Sequence, residues 1–194
     1  MRPVLLITGA TSSIGAAVAR RMGATHDVAL ATRSRRADAE RLRDALPGHA
    51  TVWEADLSDP AQAPVLVERV VAAHARLDGM VLVAGDFAAQ DPRQTDMAEA
   101  ARQMAVNVLS PMALVAAGAG HMPPGSAVVA VSSINAEAAP PGAAGYAASK
   151  AGLEGAVRAM ARDHAPRGIR VNAVQPGAVE RDRAPHPPEA VAAL

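Results

Sequence analysis

Tyr146 is the only tyrosine of this 194-residue chain, and Lys150 is its only lysine. The two stand four residues apart in Tyr146-Ala147-Ala148-Ser149-Lys150. On a helix, an i, i+4 pair shares one face. A tyrosine that serves as acid or base needs its pKa, ordinarily about 10, brought toward neutrality, and a fixed ammonium nearby does this. Arginine fills the other basic positions, but its guanidinium brings charge without a compact ammonium on a flexible stem. Ser133 lies thirteen residues before the tyrosine, at the end of an apolar run. Taken alone, Tyr146 and Lys150 are also the pattern of a surface tyrosine with an incidental lysine neighbour. The elements that carry them decide between the two.

Those elements alternate. Val4 to Thr8 is a short, continuous apolar run, as for a strand buried on both faces. A helix is expected over about 13–22, a strand over 26–32, a basic turn at 33–36 and a helix over 37–46. A strand over 50–55 leads to a helix capped by Ser58 and reaching about 75, with Asp59 in its first turn. Then come a strand at 79–84, a loop at 85–94, a helix at 95–120, a strand at 125–132, a helix at 143–164 and a strand at 169–174. The tail from 178 is rich in proline and charge, with one short helical piece over 188–193. Strands alternating with helices imply βαβ units and a parallel sheet. The expected fold class is therefore α/β, a single domain over 1–194 with a doubly wound, Rossmann-like sheet of six strands in the order 3-2-1-4-5-6. Ligands bind such sheets at the carboxyl ends of the strands. Three segments converge there: 9–15, Ser132-Ser133 and Pro176-Gly177.

Composition narrows the function classes. Net charge is zero, acids and bases are interspersed, and aromatics are limited to Trp53, Phe87 and Tyr146. Neither a basic footprint nor a stacking platform for nucleic acid is present. No apolar run reaches the roughly 18 to 20 residues that span a bilayer, so no membrane partner is expected. The absence of cysteine excludes disulfides and thiolate metal sites and fits a cytoplasmic chain. The six histidines show no ligand-like spacing, so no metal is expected.

Thr8-Gly9-Ala10-Thr11-Ser12-Ser13-Ile14-Gly15 joins a buried strand to a helix. Glycine at 9 lets the chain turn tightly, glycine at 15 lets helix and sheet approach, and the helix N-terminus offers free N–H groups to a pyrophosphate. A purely structural turn would carry the same two glycines. Downstream, Arg33, Ser34, Arg35 and Arg36 follow Thr32, and an adenosine 2′-phosphate needs such charge-assisted donors. A solvated basic helix start is the competing reading. Asp56-Leu57 follows the third strand and is also compatible with an ordinary strand end.

Taken together, the glycine turn and Ser133-x12-Tyr146-x3-Lys150 resemble the short-chain dehydrogenase/reductase family, from Thr8 to about Gly177. The family pattern T-G-x-x-x-G-x-G has Ser13 here at its middle glycine. Its acidic residue after the second strand, which takes the NAD ribose, is Thr32 here, so the resemblance implies NADP(H) rather than NAD(H). It implies cofactor contacts from Thr8, Gly9, Thr11, Ser12, Ser13, Ile14, Gly15, Arg33, Ser34, Arg35, Asp56, Leu57, Ala84, Gly85, Tyr146, Lys150, Pro176, Gly177 and Val179. The family's Asn-Asn-Ala-Gly is Leu82-Val83-Ala84-Gly85 here, so both amides are lost.

The resemblance also assigns catalytic roles. Tyr146 would protonate a carbonyl oxygen, and Lys150 would lower the tyrosine pKa and hold the nicotinamide ribose. Ser133 would hold the substrate oxygen, with Ser132 its rival one residue away. Asn107 would fix a water that links Lys150 to solvent. Phe87, Gln90, Asn135 and Glu137 are candidates to face the substrate. The implied activity is interconversion of a carbonyl and an alcohol on a small-molecule or carrier-borne substrate. The alternatives are a non-redox elimination or cyclisation, or a regulatory nucleotide-binding role. Family members continue well past Pro176-Gly177, whereas seventeen residues follow Gly177 here. A shortened lid over 178–194, no seventh strand, and a homodimer through the helices near 95–120 and 143–164 are the matching expectations.

Overall fold

The computed structural model describes residues 2–179. Six strands form one parallel sheet: β1 (Val4–Thr8), β2 (Asp27–Thr32), β3 (Ala50–Glu54), β4 (Gly79–Leu82), β5 (Ala127–Val131) and β6 (Arg170–Val174). Their order is β3-β2-β1-β4-β5-β6, as expected from the alternating pattern. The helical piece expected over 188–193 lies outside the described residues.

Alternation along β1 assigns the two layers. Leu6 joins the cluster built with α3 (Gln62–His74), α5 (Ser110–Ala119) and α6 (Ala144–His164), through residues such as Leu66, Leu114 and Leu153. Leu5 and Ile7 point the other way, toward Ala19 of α1 (Ser13–Met22) and Leu42 of α2 (Arg36–Asp44). Successive strand side chains face opposite sides, so a strand covered by helices on both sides must be apolar throughout. All five residues of β1 are buried.

Gly9 closes the strand-to-helix turn at φ +60, a left-handed conformation that glycine adopts without steric cost. It also lets β4 approach, because a Cβ there would lie 2.7 Å from the Ala84 amide nitrogen. Gly9→Ala is expected to cost about 2–3 kcal/mol, from left-handed strain plus the close contact. Urea unfolding of the two proteins measures it, and equal midpoints would contradict it.

Two boundaries differ from the expectation. Ser58 does not cap α3, which begins at Gln62 after a turn through Asp59 and Pro60. The Ser58 hydroxyl instead donates to Asp56 at 2.8 Å, a local bond that competes with capping. The helix expected over 95–120 is α4 (Met97–Met104), a π-helical turn (Ala105–Leu109) and α5. Asp96 caps it by accepting from the amides of Ala98 and Glu99. The π-turn carries Asn107, and such turns often mark functional sites.

Candidate active site

The carboxyl ends of β1, β4, β5 and β6 open into a cleft of about 1140 Å³. Thr11, Ser12, Ser13 and Ile14 line it from the glycine turn, Ser133 from the end of β5, Tyr146 and Lys150 from α6, and Pro176, Gly177 and Val179 from beyond β6. A smaller hollow of about 270 Å³ adjoins it, lined by Gly9, Arg33, Ser34, Asp56, Leu57 and Ala84. Arg35 and Gly85 border both. Thr8, Gly15 and Asn107 line neither and work from beneath.

Lys150 is 3 % exposed. Its Nζ donates to the Val131 carbonyl at 2.7 Å and sits 5.6 Å from the centre of the Tyr146 ring. The four-residue spacing on α6 brings the two together, and the end of β5 fixes the ammonium. Burial penalises the charged form and pushes the Lys150 pKa down to about 8. Phe87 meets the tyrosine ring edge-on, with centroids 5.0 Å apart.

Both serines border the cleft, and they differ in their partners. Ser132 is buried and donates to Glu154 of α6 at 2.6 Å. Among the described residues Ser133 accepts only a 3.2 Å bond from the Asn135 amide, so its hydroxyl keeps a proton to donate. Ser132 N–H to Val174 and Ile134 N–H to Pro176 tie this segment to β6.

Asn107 is 1 % exposed, and its amide is hydrogen-bonded at both ends. Oδ1 accepts from Asp86 N–H at 2.9 Å, while Nδ2 donates to the Asp86 carbonyl at 3.0 Å and to Ser149 Oγ at 2.9 Å. Ser149 in turn donates to the Tyr146 carbonyl. The asparagine thus clamps the loop after β4 to the helix that carries Tyr146. Gly85 completes the contact, since a Cβ there would lie 3.3 Å from Asn107 Oδ1 and 3.5 Å from Lys150 Nζ.

In the glycine turn, Ser12 caps α1 by accepting from Gly15 N–H at 3.1 Å. Ser13 and Ile14 then stand at the first turn of α1, where helix N–H groups lack partners. Thr8 is buried, and its Oγ1 accepts from Ala84 N–H at 3.1 Å, joining β1 to β4. Two arginines of the basic turn diverge. Arg35 turns back, donating to the Thr11 carbonyl at 3.0 Å and to Asp38. Arg33 is exposed beside Asp56. The Asp56 carboxyl is held below its usual range, chiefly by the Ser58 amide and hydroxyl and further by the Arg33 charge.

Glu154 and Val83 were not indicated by motif. Glu154 binds Ser132 and also accepts from Gln175 at 2.7 Å. Its one signal is position, four residues past Lys150. Val83 borders both hollows, in place of an amide of the resembled pattern. Gln90 ties two loops together, and Glu137 bonds Gln175 at 3.1 Å, whereas Asn135 lines the cleft.

A doubly wound sheet with a glycine turn on one side of its crevice and a Ser-Tyr-Lys cluster on the other defines a dinucleotide-dependent oxidoreductase class. Residues 3–188 match the family model for short chain dehydrogenase. The chain belongs to this family of oxidoreductases. It is 33 % identical over 180 residues to an uncharacterized oxidoreductase of Methylorubrum extorquens, an alignment covering 91 % of this chain and 73 % of the relative. A cyclic-di-GMP-binding biofilm dispersal mediator protein of Escherichia coli is 31 % identical over 182 residues, covering 93 % and 75 %. A crystal structure of a Burkholderia cenocepacia short chain dehydrogenase in complex with NADP superposes with TM-score 0.91 at 34 % identity, covering 98 % and 80 %.

Proposed function

We propose that this oxidoreductase interconverts a carbonyl and an alcohol with NADP(H), using Tyr146 as general acid and base. One observation carries the reading: the only lysine is buried beside the only tyrosine, in the same cleft as Ser133 and the glycine turn. The residues present fit a dinucleotide. A Gly9 side chain would crowd Ala84, and a Gly15 side chain would collide with the Gly9 carbonyl, so the turn keeps the backbone low under the α1 N-terminus. Helix N–H groups there would hold the pyrophosphate. Asp56 and Leu57 would line the adenine end, and Pro176, Gly177 and Val179 the nicotinamide end.

When bound, the nicotinamide supplies or accepts the hydride. The chain handles the proton. Ser133 Oγ donates a hydrogen bond to the substrate oxygen and holds it against Tyr146 Oη, which gives that oxygen its proton during reduction. The Lys150 ammonium stabilises the phenolate left behind. Asn107 acts through Ser149 and the loop after β4, so it positions Tyr146 rather than touching substrate.

Arg33 is the residue assigned to the 2′-phosphate. Arg35 spends its donors on Thr11 and Asp38, whereas Arg33 has no hydrogen bond among the described residues. Arg33→Ser is expected to weaken NADPH about tenfold or more and leave NADH within about twofold, the scale of one charge-assisted pair. Fluorescence titration reads both constants. Parallel losses would overturn the assignment, and a wild type that binds no nicotinamide nucleotide would overturn the function.

The same proposal includes a homodimer across α4, α5 and α6. Leu109 and Met112 stand 47 % and 42 % exposed on this face, and a twofold axis would bury each against its copy. Leu109→Glu with Met112→Glu is expected to halve the mass seen by light scattering. A monomeric wild type would refute it.

A regulatory role is the second reading. The cyclic-di-GMP-binding mediator protein of Escherichia coli among the relatives and the loss of both amides at Leu82-Val83 favour it. Nucleotide binding without turnover of any carbonyl would support it.

A further inference from the structure

Phe87 is half out of the fold at 51 % exposure, although its backbone is pinned on both sides. Asn107 bonds both backbone groups of Asp86. Gln103, 0 % exposed, donates to the Ala88 carbonyl at 3.2 Å. Gln90 N–H donates to the Gly142 carbonyl at 2.9 Å, stitching this loop to the one before α6. Gly142, at φ +79, allows the approach, since a Cβ would collide with the Gln90 carbonyl. A phenylalanine left open forgoes the stabilisation of full burial. Here the ring is held open next to the phenol of Tyr146, a preorganised apolar face.

Ile134 at 37 % and Val179 at 38 % exposure line the same cleft, as does Pro140. The uncharged polar groups of the lining include Ser132, Ser133 and Asn135. Charge is distributed unevenly. Among the described residues, the lining cations besides Lys150 are Arg20, Arg35 and Arg41, which belong to α1, α2 and the turn before it. Arg35 and Arg41 both bond Asp38. The charge next to Phe87 is the Asp86 carboxylate, paired with Arg102 at 2.7 Å. Among the described residues the cation beside Tyr146 is Lys150, buried and donating to the Val131 carbonyl, so a carboxylate placed on the substrate's carbonyl carbon would lose water there with no free cation to pair with, while an apolar ring would meet Phe87 and Ile134.

We infer that the site takes an uncharged ketone or secondary alcohol bearing an aryl or alicyclic ring directly on the reacting carbon, with Phe87 as the surface that selects the ring, and turns away α-keto and α-hydroxy acids. This rests on the carbonyl–alcohol reading above. The test uses 1-phenylethanol and mandelate, which share the ring and differ by methyl against carboxylate. Ligand-observed NMR titration measures their binding, with NADPH quenching and ketone turnover measured separately. 1-Phenylethanol is expected to bind at least about thirtyfold tighter than mandelate, the cost of an unpaired carboxylate. Phe87→Ala is expected to weaken 1-phenylethanol about tenfold and leave NADPH affinity unchanged, whereas Phe87→Leu, which keeps an apolar side chain, loses only about threefold. Equal binding of mandelate, or no effect of Phe87→Ala on 1-phenylethanol, overturns the inference. If NADPH does not bind but 1-phenylethanol still binds through Phe87, ring selection stands and the redox reading falls. If NADPH binds and ketones turn over but mandelate binds best, the reverse holds.

Discussion

Tyr146→Phe is expected to lower kcat for ketone reduction about a thousandfold, within the roughly 10²- to 10⁴-fold range of a positioned general acid. NADPH affinity should stay within about twofold of wild type, because the substitution changes no backbone contact with the nucleotide. The structure makes this a clean change. Among the described residues Tyr146 Oη makes no hydrogen bond, so its removal leaves no buried partner unsatisfied. The ring remains, and with it the edge contact to Phe87. Thermal midpoint should therefore be unchanged. Single-turnover kinetics at saturating NADPH gives the chemical step directly. A variant that keeps more than about a tenth of wild-type turnover would remove Tyr146 from the proton transfer.

Lys150→Met separates function from stability. Activity should fall about a hundredfold or more, the loss typical of one electrostatic stabiliser. Stability should move the other way at neutral pH. Burial holds the folded-state pKa near 8 against 10.5 for the free group, so folding disfavours the ammonium. The sign follows from linkage: the unfolded chain binds the proton more tightly. Below about pH 8 both states are protonated and the full penalty is present, fading between 8 and 10.5 and absent above. From the size of that shift the penalty is about 3 kcal/mol. Loss of the bond to the Val131 carbonyl takes back about 1 kcal/mol. Methionine is thus expected to gain about 1–2 kcal/mol at pH 7 and to lose its advantage as pH rises toward 10.5. Urea unfolding at pH 7 and pH 10 tests this, and a variant less stable than wild type at pH 7 would sink it. In the wild type, kcat/KM for reduction should decline as pH passes about 8, where the ammonium is lost.

This trade explains why the site is costly to maintain. A buried cation works against folding, and a half-exposed phenylalanine adds less to it than a buried one would. They are retained around one tyrosine, and the hydrogen bonds of Asn107 and Gln103 hold them in register. Violations of local preference concentrated in one cleft are the physical signature of a site rather than of a scaffold.

The sequence by itself determined the strand order, the glycine turn and the Tyr146–Lys150 spacing. Those depend on local backbone chemistry: apolar runs that must be covered on both faces, a left-handed glycine, and a helical period that puts residues 146 and 150 on one face. The tertiary structure decided what each side chain is free to do. Ser132 and Ser133 are chemically alike and adjacent, and a glutamate on another element claims the first of them. Arg33 and Arg35 read alike in the basic turn, yet the Thr11 carbonyl and Asp38 occupy only the second. The clamp that the Asn107 amide makes on the backbone at Asp86, and the π-turn that presents it, have no local signature. Hydrogen-bond partners of this kind lie far apart in the chain, up to 76 residues for Thr8 and Ala84. They are fixed by which elements meet, and no local periodicity encodes that.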